Sequence, residues 1–411
     1  MLPKSASTVI IGGGVLGASA AFHLTDAGQS DVVLLDRGPI ASGTTPQAAG
    51  QTGYLNVDRF AFEFGKYCIE FFENFEQRTG QAINFRQCGS LRVALTDKFQ
   101  KDLAARLKAA EDLSEDLSHH VEFISPERAR ELVPTFTPPD DCRILLIPRD
   151  GYVEPKSVAV AYAAAANDRG ATFQTRVEAT DLVIRNGRVT GVKTSEGTIE
   201  TKWVVLAAGA WTRQFAQQVG LNLRTVPVRH QAFVTAPIAG VMPNQPIVRF
   251  TEPQVYVRHE AGGLLVGGYG YRPLSFDMND FDRKFEVAAL EADPVYYRQL
   301  SDATREFFPA LANAPIVQER RGLPTISPDG RLVLSEPSGL QGLVVLSACG
   351  VGGIDRSPGA GRIVADIICE RDPWIDPSVL SVDRFGDDYA TDASLRAQCE
   401  EIYAHHYHEI Y

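Results

Sequence analysis

Residues 8–36 carry the pattern that most constrains what this chain can fold into. A short apolar run leads directly into Gly12, Gly14 and Gly17, spaced G-x-G-x-x-G, then into an Ala-rich helical stretch and a second apolar run that ends in Asp36. In such a unit the first glycine permits a tight turn, the second lets the backbone approach a pyrophosphate, and the third allows close helix packing. The segment predicts a Rossmann-like dinucleotide-binding domain, in which the helix N-terminus faces the phosphates and the acid binds a ribose hydroxyl.

Length, charge and cysteine usage limit the remaining classes of protein. The chain has 411 residues, enough for two domains. Its 40 basic and 51 acidic residues give a net charge of −11, which argues against a nucleic-acid partner and favours a small molecule. No stretch has the ~20 apolar residues of a membrane span, and the first motif begins by Thr8 without space for a signal, so we expect a cytoplasmic protein. The six cysteines form no C-x-x-C pair, and no metal site is predicted.

Three further segments bear on which dinucleotide is bound. Residues 41–50 form a small-residue loop that suits close approach to a flavin, although an ordinary turn would look similar. Residues 204–211 form an apolar strand running into glycine, which can flank a cofactor or simply belong to a core. Residues 350–361 form a Gly-rich loop before a helix, with Ser357 as the expected N-cap and Pro358 as the first helical residue. Because that helix N-terminus could stabilise negative charge on the pyrimidine end of a reduced flavin, the three segments together favour FAD over a nicotinamide.

These motifs resemble the D-amino-acid-oxidase and sarcosine-oxidase superfamily, most closely its dimethylglycine and sarcosine dehydrogenase branch. The likeness covers nearly the whole chain. It includes IGGGVLG at 11–17, SGTTPQAAG at 42–50, VVLAAGAW at 204–211, VRHQAFVT at 228–235 and YVRHEAGGLLVGGY at 256–269.

The resemblance implies an α/β fold, α+β overall, in which a Rossmann-like FAD-binding domain is interleaved with a substrate-binding domain. An antiparallel sheet of the second domain would cover the flavin, and alternating patterns at 84–95, 227–235, 246–258 and 263–268 would supply its strands. The implied FAD-binding domain comprises 1–82, 150–219 and 328–375. The substrate-binding domain comprises 83–149 and 220–327, and the tail 376–411 is expected to pack on the FAD-binding domain.

The resemblance also assigns the residues that would hold FAD. In the dehydrogenase branch a histidine in the G-T-T loop carries the flavin covalently, but Gln47 stands there; in monomeric sarcosine oxidases a cysteine before T-P-D does so, but 322–329 has none. We therefore expect FAD held without a covalent bond. The expected FAD-binding residues are Gly12, Gly14, Val15, Leu16, Gly17, Asp36, Arg37, Ser42, Gly43, Thr44, Thr45, Gln47, Ala49, Gly50, Gln51, Val177, Ala208, Gly209, Trp211, Gly352, Gly353 and Ile354.

Candidate catalytic residues follow from the same resemblance. His230 stands where the family has an active-site histidine, which could take the ammonium proton or orient the amine; the plain interpretation is a histidine hydrogen-bonded in a sheet. Tyr256 and Tyr269 could hold the amine. Arg258, on the same strand face as Tyr256, could bind a carboxylate in bidentate fashion, although packing on a half-exposed sheet would suit all three. Pro324 replaces the arginine of many amino-acid oxidases, so the candidate carboxylate anchors are Arg249, Arg258 and Arg321.

The resemblance predicts FAD-dependent oxidation of the C–N bond of a small secondary or tertiary amino acid, such as an N-methyl glycine derivative, to an imine that water hydrolyses. The alternatives are oxidation of a 2-hydroxy acid, or a flavoprotein subunit of an electron-transfer complex. Leu265 stands where monomeric sarcosine oxidases have a lysine that helps oxygen react, so slow reoxidation by oxygen and a possible electron-acceptor protein are expected. The folate-binding module of the larger dehydrogenases is not expected on this polypeptide.

Overall fold

The computed structural model describes residues 2–114, 121–282 and 284–405. Its helices are α1 (Val15–Asp26), α2 (Arg59–Thr79), α3 (Asp97–Glu111), α4 (Pro126–Leu132), α5 (Pro155–Asp168), α6 (Thr212–Gln218), α7 (Pro294–Thr304), α8 (Gly353–Ile368) and α9 (Asp392–Ala404). Its strands are β1 (Ser5–Ile11), β2 (Val32–Asp36), β3 (Gln51–Thr52), β4 (Ser90–Ala94), β5 (Glu122–Ile124), β6 (Arg143–Ile147), β7 (Gly151–Tyr152), β8 (Thr172–Thr175), β9 (Ala179–Arg185), β10 (Arg188–Thr194), β11 (Gly197–Leu206), β12 (Val226–Pro227), β13 (His230–Thr235), β14 (Ile247–Phe250), β15 (Val255–Glu260), β16 (Gly263–Gly268), β17 (Ile316–Gly322), β18 (Thr325–Ile326), β19 (Val333–Ser335) and β20 (Leu343–Ser347).

A mainly parallel sheet forms around β1. This strand pairs in parallel with β11 on one side and with β2 on the other, and the sheet runs in the order β19, β20, β11, β1, β2, β8. Strands β10 and β9 extend it beside β11 as an antiparallel pair. Val9 and Ile10 are fully buried, because helices α1, α5 and α8 cover one face of the sheet and a second apolar cluster covers the other.

A second sheet, mainly antiparallel, lies over the first domain and is called the roof sheet below. Its strands run in the order β17, β13, β16, β15, β14, β4, β6, β5, with the β14–β4 pair parallel. The predicted strand at 263–268 is confirmed as β16, and only the second half of the predicted strand at 84–95 is regular, as β4. The predicted fold class, a parallel α/β domain combined with an antiparallel sheet, is confirmed.

Two predicted roof strands are interrupted. The run 246–258 is a hairpin of β14 and β15, because Gln254 takes a φ of +51° at the turn between them. The run 227–235 divides into β12 and β13, since the N–H of Arg229 donates to the carbonyl of Leu274 instead of continuing a ladder. Single-strand periodicity does not reveal either break, because the residues on both sides keep the alternating pattern.

Helix α9 packs on the roof sheet. Four residues of one helix face join the apolar cluster that contains Tyr256 and Tyr269; they are Leu395, Cys399, Ile402 and Tyr403. Helix α9 also contacts the predicted FAD-binding domain, because Asp392 pairs with Arg213 and Gln398 donates to the carbonyl of Pro328. The packing of 376–411 on that domain stays a prediction. Residues 406–411 of the predicted tail lie outside the described part of the chain, and the other domain boundaries stay a prediction. Among the described helices, none combines the length and the apolar character that crossing a bilayer would require.

Candidate active site

A cavity of about 970 Å³ lies between the carboxyl ends of the parallel strands and the roof sheet. Ile11 and Asp36 reach it from the ends of β1 and β2, and Ala208 follows β11 into it. From the roof sheet, His230 and Tyr256 face the same space. Ligand pockets range over roughly 300–1,000 Å³, and open α/β sheets bind ligands at the carboxyl ends of their strands, so both size and place suit a large ligand such as a dinucleotide.

The three fingerprint glycines have distinct surroundings. Gly12 has a φ of +112°, and a side chain there would clash with the carbonyl of Ala207. A side chain on Gly17 would clash with the carbonyl of Gly12, which explains its role although Gly17 does not itself line the cavity. Gly14 differs, since a Cβ there would meet only Thr45 Oγ1, at 3.4 Å. Because Gly14 has no side chain, space for a ligand remains at the N-terminus of α1.

Asp36 is placed as the fingerprint requires. Its two carboxylate oxygens accept hydrogen bonds from the backbone N–H groups of Gly13, at 2.6 Å, and Gly38, at 2.7 Å. Burial raises the pKa of Asp36. The neighbouring Arg37 stacks on Trp211 at 4.1 Å and donates to a backbone carbonyl, so this end of the cavity has fixed walls.

The loop at 41–51 connects the two domains. Thr45 Oγ1 accepts the N–H of Val15 at 3.1 Å and so caps the first turn of α1. Thr44 Oγ1 accepts the N–H of Leu323, also at 3.1 Å, and Gln47 Oε1 accepts the N–H of Arg321 at 3.2 Å. Both of these donors belong to the end of β17 or directly follow it. The loop therefore has one set of bonds to the dinucleotide helix and another to the roof sheet.

Helix α8 begins earlier than predicted, at Gly353, and Pro358 lies inside it. A proline there leaves the carbonyl of Ile354 without its usual helical donor, and Ser357 Oγ donates to that carbonyl at 2.8 Å instead. Ser357 thus lies inside the helix and satisfies a carbonyl that the proline leaves unpaired, so the prediction of Ser357 as N-cap is wrong. The correction brings the helix N-terminus, with Gly352 as N-cap, to the cavity wall.

The residues that surround the cavity fit FAD. Helices α1 and α8 both present N-termini to it, and their N-cap residues, Gly14 and Gly352, have no side chain to block the opening. Of the predicted FAD-binding residues, all but Gly17 and Val177 line the cavity. Val177 lies behind the wall because its N–H donates to the carbonyl of Asp36, while its neighbours Arg176 and Glu178 face the space.

His230 forms the centre of a buried polar cluster on the roof sheet. Its Nε2 lies 2.9 Å from Tyr256 Oη and its Nδ1 lies 2.9 Å from Tyr403 Oη. The ring of Tyr269 lies 5.1 Å from that of His230. Burial lowers the pKa of His230 to about 4 and raises the pKa of Tyr256, so imidazole and phenol are both neutral near pH 7. Tyr256 lies flat over Gly267, where a side chain would displace its ring.

Arg258 does not reach the cavity, so the prediction that it contacts a substrate carboxylate is wrong. The guanidinium is fully buried; it pairs with Glu260, stacks on Tyr152 at 4.3 Å and donates to the carbonyl of Ala49 at 2.8 Å. Arg320 pairs with the same Glu260 at 2.8 Å and donates to the carbonyl of Ala48. Burial favours a higher pKa for Glu260, but the two arginines outweigh it and lower that pKa. Through these contacts Arg258 and Arg320, paired with Glu260, hold the backbone of the 41–51 loop.

The two other candidate carboxylate anchors differ in whether they line the cavity. Arg249 lines the cavity, whereas Arg321 does not. Arg249 donates to Gln51 Oε1 at 2.8 Å and pairs with the fully buried Asp150 at 3.2 Å. The third nitrogen of its guanidinium donates to the carbonyl of Thr52 at 3.1 Å, so all three nitrogens are held in place.

Sequence reasoning missed two parts of the site. Tyr403 comes from α9, and its spacing with Leu395 and Cys399 indicates a buried helix face but not which cluster that face joins. Residues beyond β16 also line the cavity, among them Met278, Phe281 and Phe285. No motif marks these residues, because their position depends on contacts such as the hydrogen bond from Gln214 to the carbonyl of Met278.

Two buried histidines make stability depend on pH. Burial lowers the pKa of His23 and of His230 from 6.5 to about 4. Since the unfolded chain binds these protons first, the stability that the two histidines contribute is expected to be fully present above about pH 7 and to be lost as the pH decreases from about 6.5 toward 4. Asp355 acts in the opposite sense over the same range, because burial raises its pKa to about 7. His23→Gln, which keeps a neutral polar side chain, should reduce this decrease. Urea unfolding at about pH 7.5 and about pH 5 measures it, and an unchanged decrease in the variant would contradict the assignment.

Comparison with known proteins places this chain in a family. A family model described as DAO, FAD dependent oxidoreductase, matches residues 7–367. The chain is 30% identical over 410 residues to 4-methylaminobutanoate oxidase (formaldehyde-forming) of Paenarthrobacter nicotinovorans, covering 99% of this chain and 49% of that protein. It is 31% identical over 414 residues to mitochondrial dimethylglycine dehydrogenase of Homo sapiens, covering 97% of this chain and 46% of that protein. The chain thus spans about half the length of these relatives.

Two further matches have lengths close to that of this chain. Sarcosine oxidase subunit beta of an Arthrobacter species is 27% identical, with 93% of this chain and 91% of the subunit covered. The crystal structure of L-proline dehydrogenase from P. horikoshii superposes with a TM-score of 0.83 at 24% identity, covering 93% of this chain and 98% of that one. At that identity the second match concerns the fold alone.

Proposed function

The chain belongs to the DAO family of FAD-dependent oxidoreductases, with FAD as its cofactor, and from this premise we propose that it oxidises the C–N bond of a small N-methylated amino acid. The product is an imine, which water hydrolyses to an aldehyde and the demethylated amine. The observation that carries the proposal is the buried, neutral pair of His230 and Tyr256 on the cavity wall. Relatives named for oxidation of methylaminobutanoate, dimethylglycine and sarcosine support the same substrate class.

Bound FAD supplies the acceptor for the hydride, which leaves carbon with both electrons of its C–H bond. The residues of this chain have three tasks. The Tyr256 hydroxyl, held by His230, orients the amine nitrogen; the roof sheet excludes water; and Arg249 binds the carboxylate at the same cavity wall. Water reaches the imine carbon only after the hydride has left. The proton that this water molecule loses on addition goes to solvent.

One experiment tests the substrate class. The FAD-loaded protein is mixed anaerobically with sarcosine, dimethylglycine, 4-methylaminobutanoate and a set of 2-hydroxy acids, and bleaching of the flavin absorbance is followed. We expect bleaching by N-methylated amino acids and none by hydroxy acids. Bleaching by hydroxy acids alone would overturn the proposal in favour of the second enzyme class, and bleaching by none of them would favour a subunit that works only within a complex.

FAD is expected to be bound without a covalent link. The loop residue at the branch's attachment position is Gln47, whose amide oxygen is hydrogen-bonded to the backbone of Arg321 and which has no nucleophilic atom. Acid precipitation of the yellow protein should therefore release all flavin into the supernatant. Colour that stays in the washed pellet would contradict this prediction.

Arg249→Lys is expected to raise KM for the amino-acid substrate by roughly 10- to 100-fold with a smaller effect on kcat, because lysine keeps the charge beside Asp150 but loses the planar fork that binds a carboxylate. Lysine is chosen because an uncharged residue would leave the buried Asp150 unpaired. The same change at Arg321, outside the cavity wall, tests the competing anchor. A KM that rises for Arg321→Lys and not for Arg249→Lys would reverse the assignment.

A further inference from the structure

Two successive carbonyl groups of the 41–51 loop are bound by arginines of the roof sheet. The carbonyl of Ala48 accepts from Arg320 Nη1 at 3.1 Å, and that of Ala49 accepts from Arg258 Nε at 2.8 Å. The carboxylate of Glu260 lies between the two guanidinium groups, with Oε2 at 2.6 Å from Arg258 Nη1 and Oε1 at 2.8 Å from Arg320 Nη2. Both arginines are buried. Because buried charges stay paired, the three ions hold both carbonyls toward the roof sheet.

The direction of these carbonyls determines where the next N–H groups point. In a trans peptide, which both of these are, the C=O and N–H groups point in opposite directions. The N–H groups of Ala49 and Gly50 therefore point away from the two arginines. Because Ala49 and Gly50 line the cavity, whereas Arg258 and Arg320 do not, these N–H groups point into the cavity.

Neither N–H group is used within the described part of the protein. No described oxygen accepts from the N–H of Ala49 or of Gly50, whereas the N–H of Ala48 donates to the carbonyl of Thr45 at 3.2 Å. Gly50 has a φ of +70°, and successive N–H groups beside a residue in this conformation form concave sites for negative atoms. Since backbone donors are rarely left without an acceptor, these two indicate an acceptor on the bound ligand.

The path of the loop indicates which part of FAD these donors meet. At its start the N–H of Ala41 donates to the carbonyl of Gly13 at 2.9 Å, and Thr45 caps the first turn of α1. At its end Gln51 accepts from Arg249 on the roof sheet. Because the pyrophosphate belongs at the N-terminus of α1, the loop beyond Thr45 follows the flavin half of the cofactor.

We propose that Arg258 and Arg320 are positioning residues for the flavin ring: through the carbonyls of Ala49 and Ala48 they direct two backbone N–H groups at its acceptor atoms. A reduced flavin ring carries more negative charge than an oxidised one. Hydrogen bonds to a charged acceptor are the stronger ones, so these donors favour the reduced form and raise the reduction potential. The two arginines thus act on hydride acceptance although neither lines the cavity.

The first experiment measures the midpoint potential of the flavin in the FAD-loaded full chain, without substrate. Arg320→Lys keeps the charge beside Glu260 but loses the planar fork that binds this carboxylate and the Ala48 carbonyl together. We expect reduction to become about 10-fold less favourable, which is ~30 mV for a two-electron couple. Arg229→Lys is the matched control, since Arg229, directly before β13, also pairs with a carboxylate, that of Asp293, and does not line the cavity.

Amide resonances of the wild-type protein give a second readout. In FAD-loaded protein labelled with 15N-alanine, the resonances of Ala48 and Ala49 are each assigned by their loss on substitution with serine. The amide hydrogen of Ala49 should move downfield when dithionite reduces the flavin, because its bond to a more negative acceptor becomes stronger. The amide hydrogen of Ala48, which is bonded to Thr45, should move much less.

An unchanged potential in both Arg320→Lys and Arg258→Lys would overturn the proposal, as would an equal shift in Arg229→Lys or an Ala49 resonance that does not respond to reduction. An increase in KM at unchanged potential would also overturn it and would assign the two N–H groups to a substrate carboxylate. If neither variant folds, the wild-type resonances still decide. Because the potential and the resonances are measured without substrate, an error in the proposed substrate class would leave both results unchanged.

Discussion

Replacing Gly14 with valine is expected to yield a folded protein that no longer binds FAD. Gly14 has φ −72° and ψ 179°, an extended conformation that valine adopts readily, so the backbone should tolerate the change. A Cβ at this position meets only Thr45 Oγ1, at 3.4 Å, and the added methyl groups would occupy the space where the pyrophosphate approaches α1. We expect flavin content below about a tenth of the wild-type value, measured as FAD released per chain on denaturation.

Two comparisons separate loss of the ligand from loss of the fold. Gly14→Ala adds one carbon and should retain more FAD than the valine variant, and Asp36→Ala, which removes ribose contacts without blocking the site, should weaken binding less than Gly14→Val. The far-ultraviolet circular dichroism of the valine variant should match that of FAD-free wild-type protein. Full flavin content in Gly14→Val would mean that the dinucleotide does not lie where the fingerprint indicates.

His230→Ala is expected to retain FAD and to slow flavin reduction at saturating substrate by roughly 100-fold or more, the scale for loss of a positioned acid, base or orienting group. The substitution leaves the hydroxyls of Tyr256 and Tyr403 without their shared partner, so the amine-binding group loses its fixed direction. Because burial lowers the pKa of His230 to about 4, the wild-type rate should show no step from this residue between about pH 5 and pH 8.

The matched control is His259→Ala on the same sheet. His259 is equally buried, and its two ring nitrogens are hydrogen-bonded to Tyr152 and to the N–H of Gly262, but it does not line the cavity. It should keep reduction within a few-fold of the wild-type rate. Anaerobic rapid mixing measures the rate of flavin reduction in both variants. Equal effects of the two substitutions would assign His230 a structural role alone.

The cofactor half of the site could be predicted because its residues follow one another closely along the chain. The turn at Gly12, the acid at Asp36 and the loop at 41–51 each depend on local backbone geometry, which sequence patterns record directly. Helix α8 shows the limit of that approach. Pro358 indicates a helix start by local rules, but Ser357 satisfies the carbonyl that the proline leaves open, and the helix begins five residues earlier.

The substrate half depends on contacts between distant segments. Strand alternation correctly places Tyr256 and Arg258 on one face, yet it does not show that Glu260 and Arg320 draw the Arg258 guanidinium away from the cavity. For this reason Arg258 supports the 41–51 loop and does not contact the substrate. Tyr403 lies almost 150 residues beyond Tyr256 in the chain, and no local rule links them.

The pairing of β1 has a consequence for how the chain is made. β2 follows β1 within the first 36 residues and can pair with it early, but the other neighbour of β1, β11, begins only at Gly197, and β20 completes that side from Leu343. At about 5–20 residues per second, β11 leaves the ribosome on the order of 10–40 s after β1. During that time the β1 edge exposes unpaired N–H and carbonyl groups on an apolar strand, which other nascent chains can pair with. Yield in a cell should therefore rise with chaperone supply during translation.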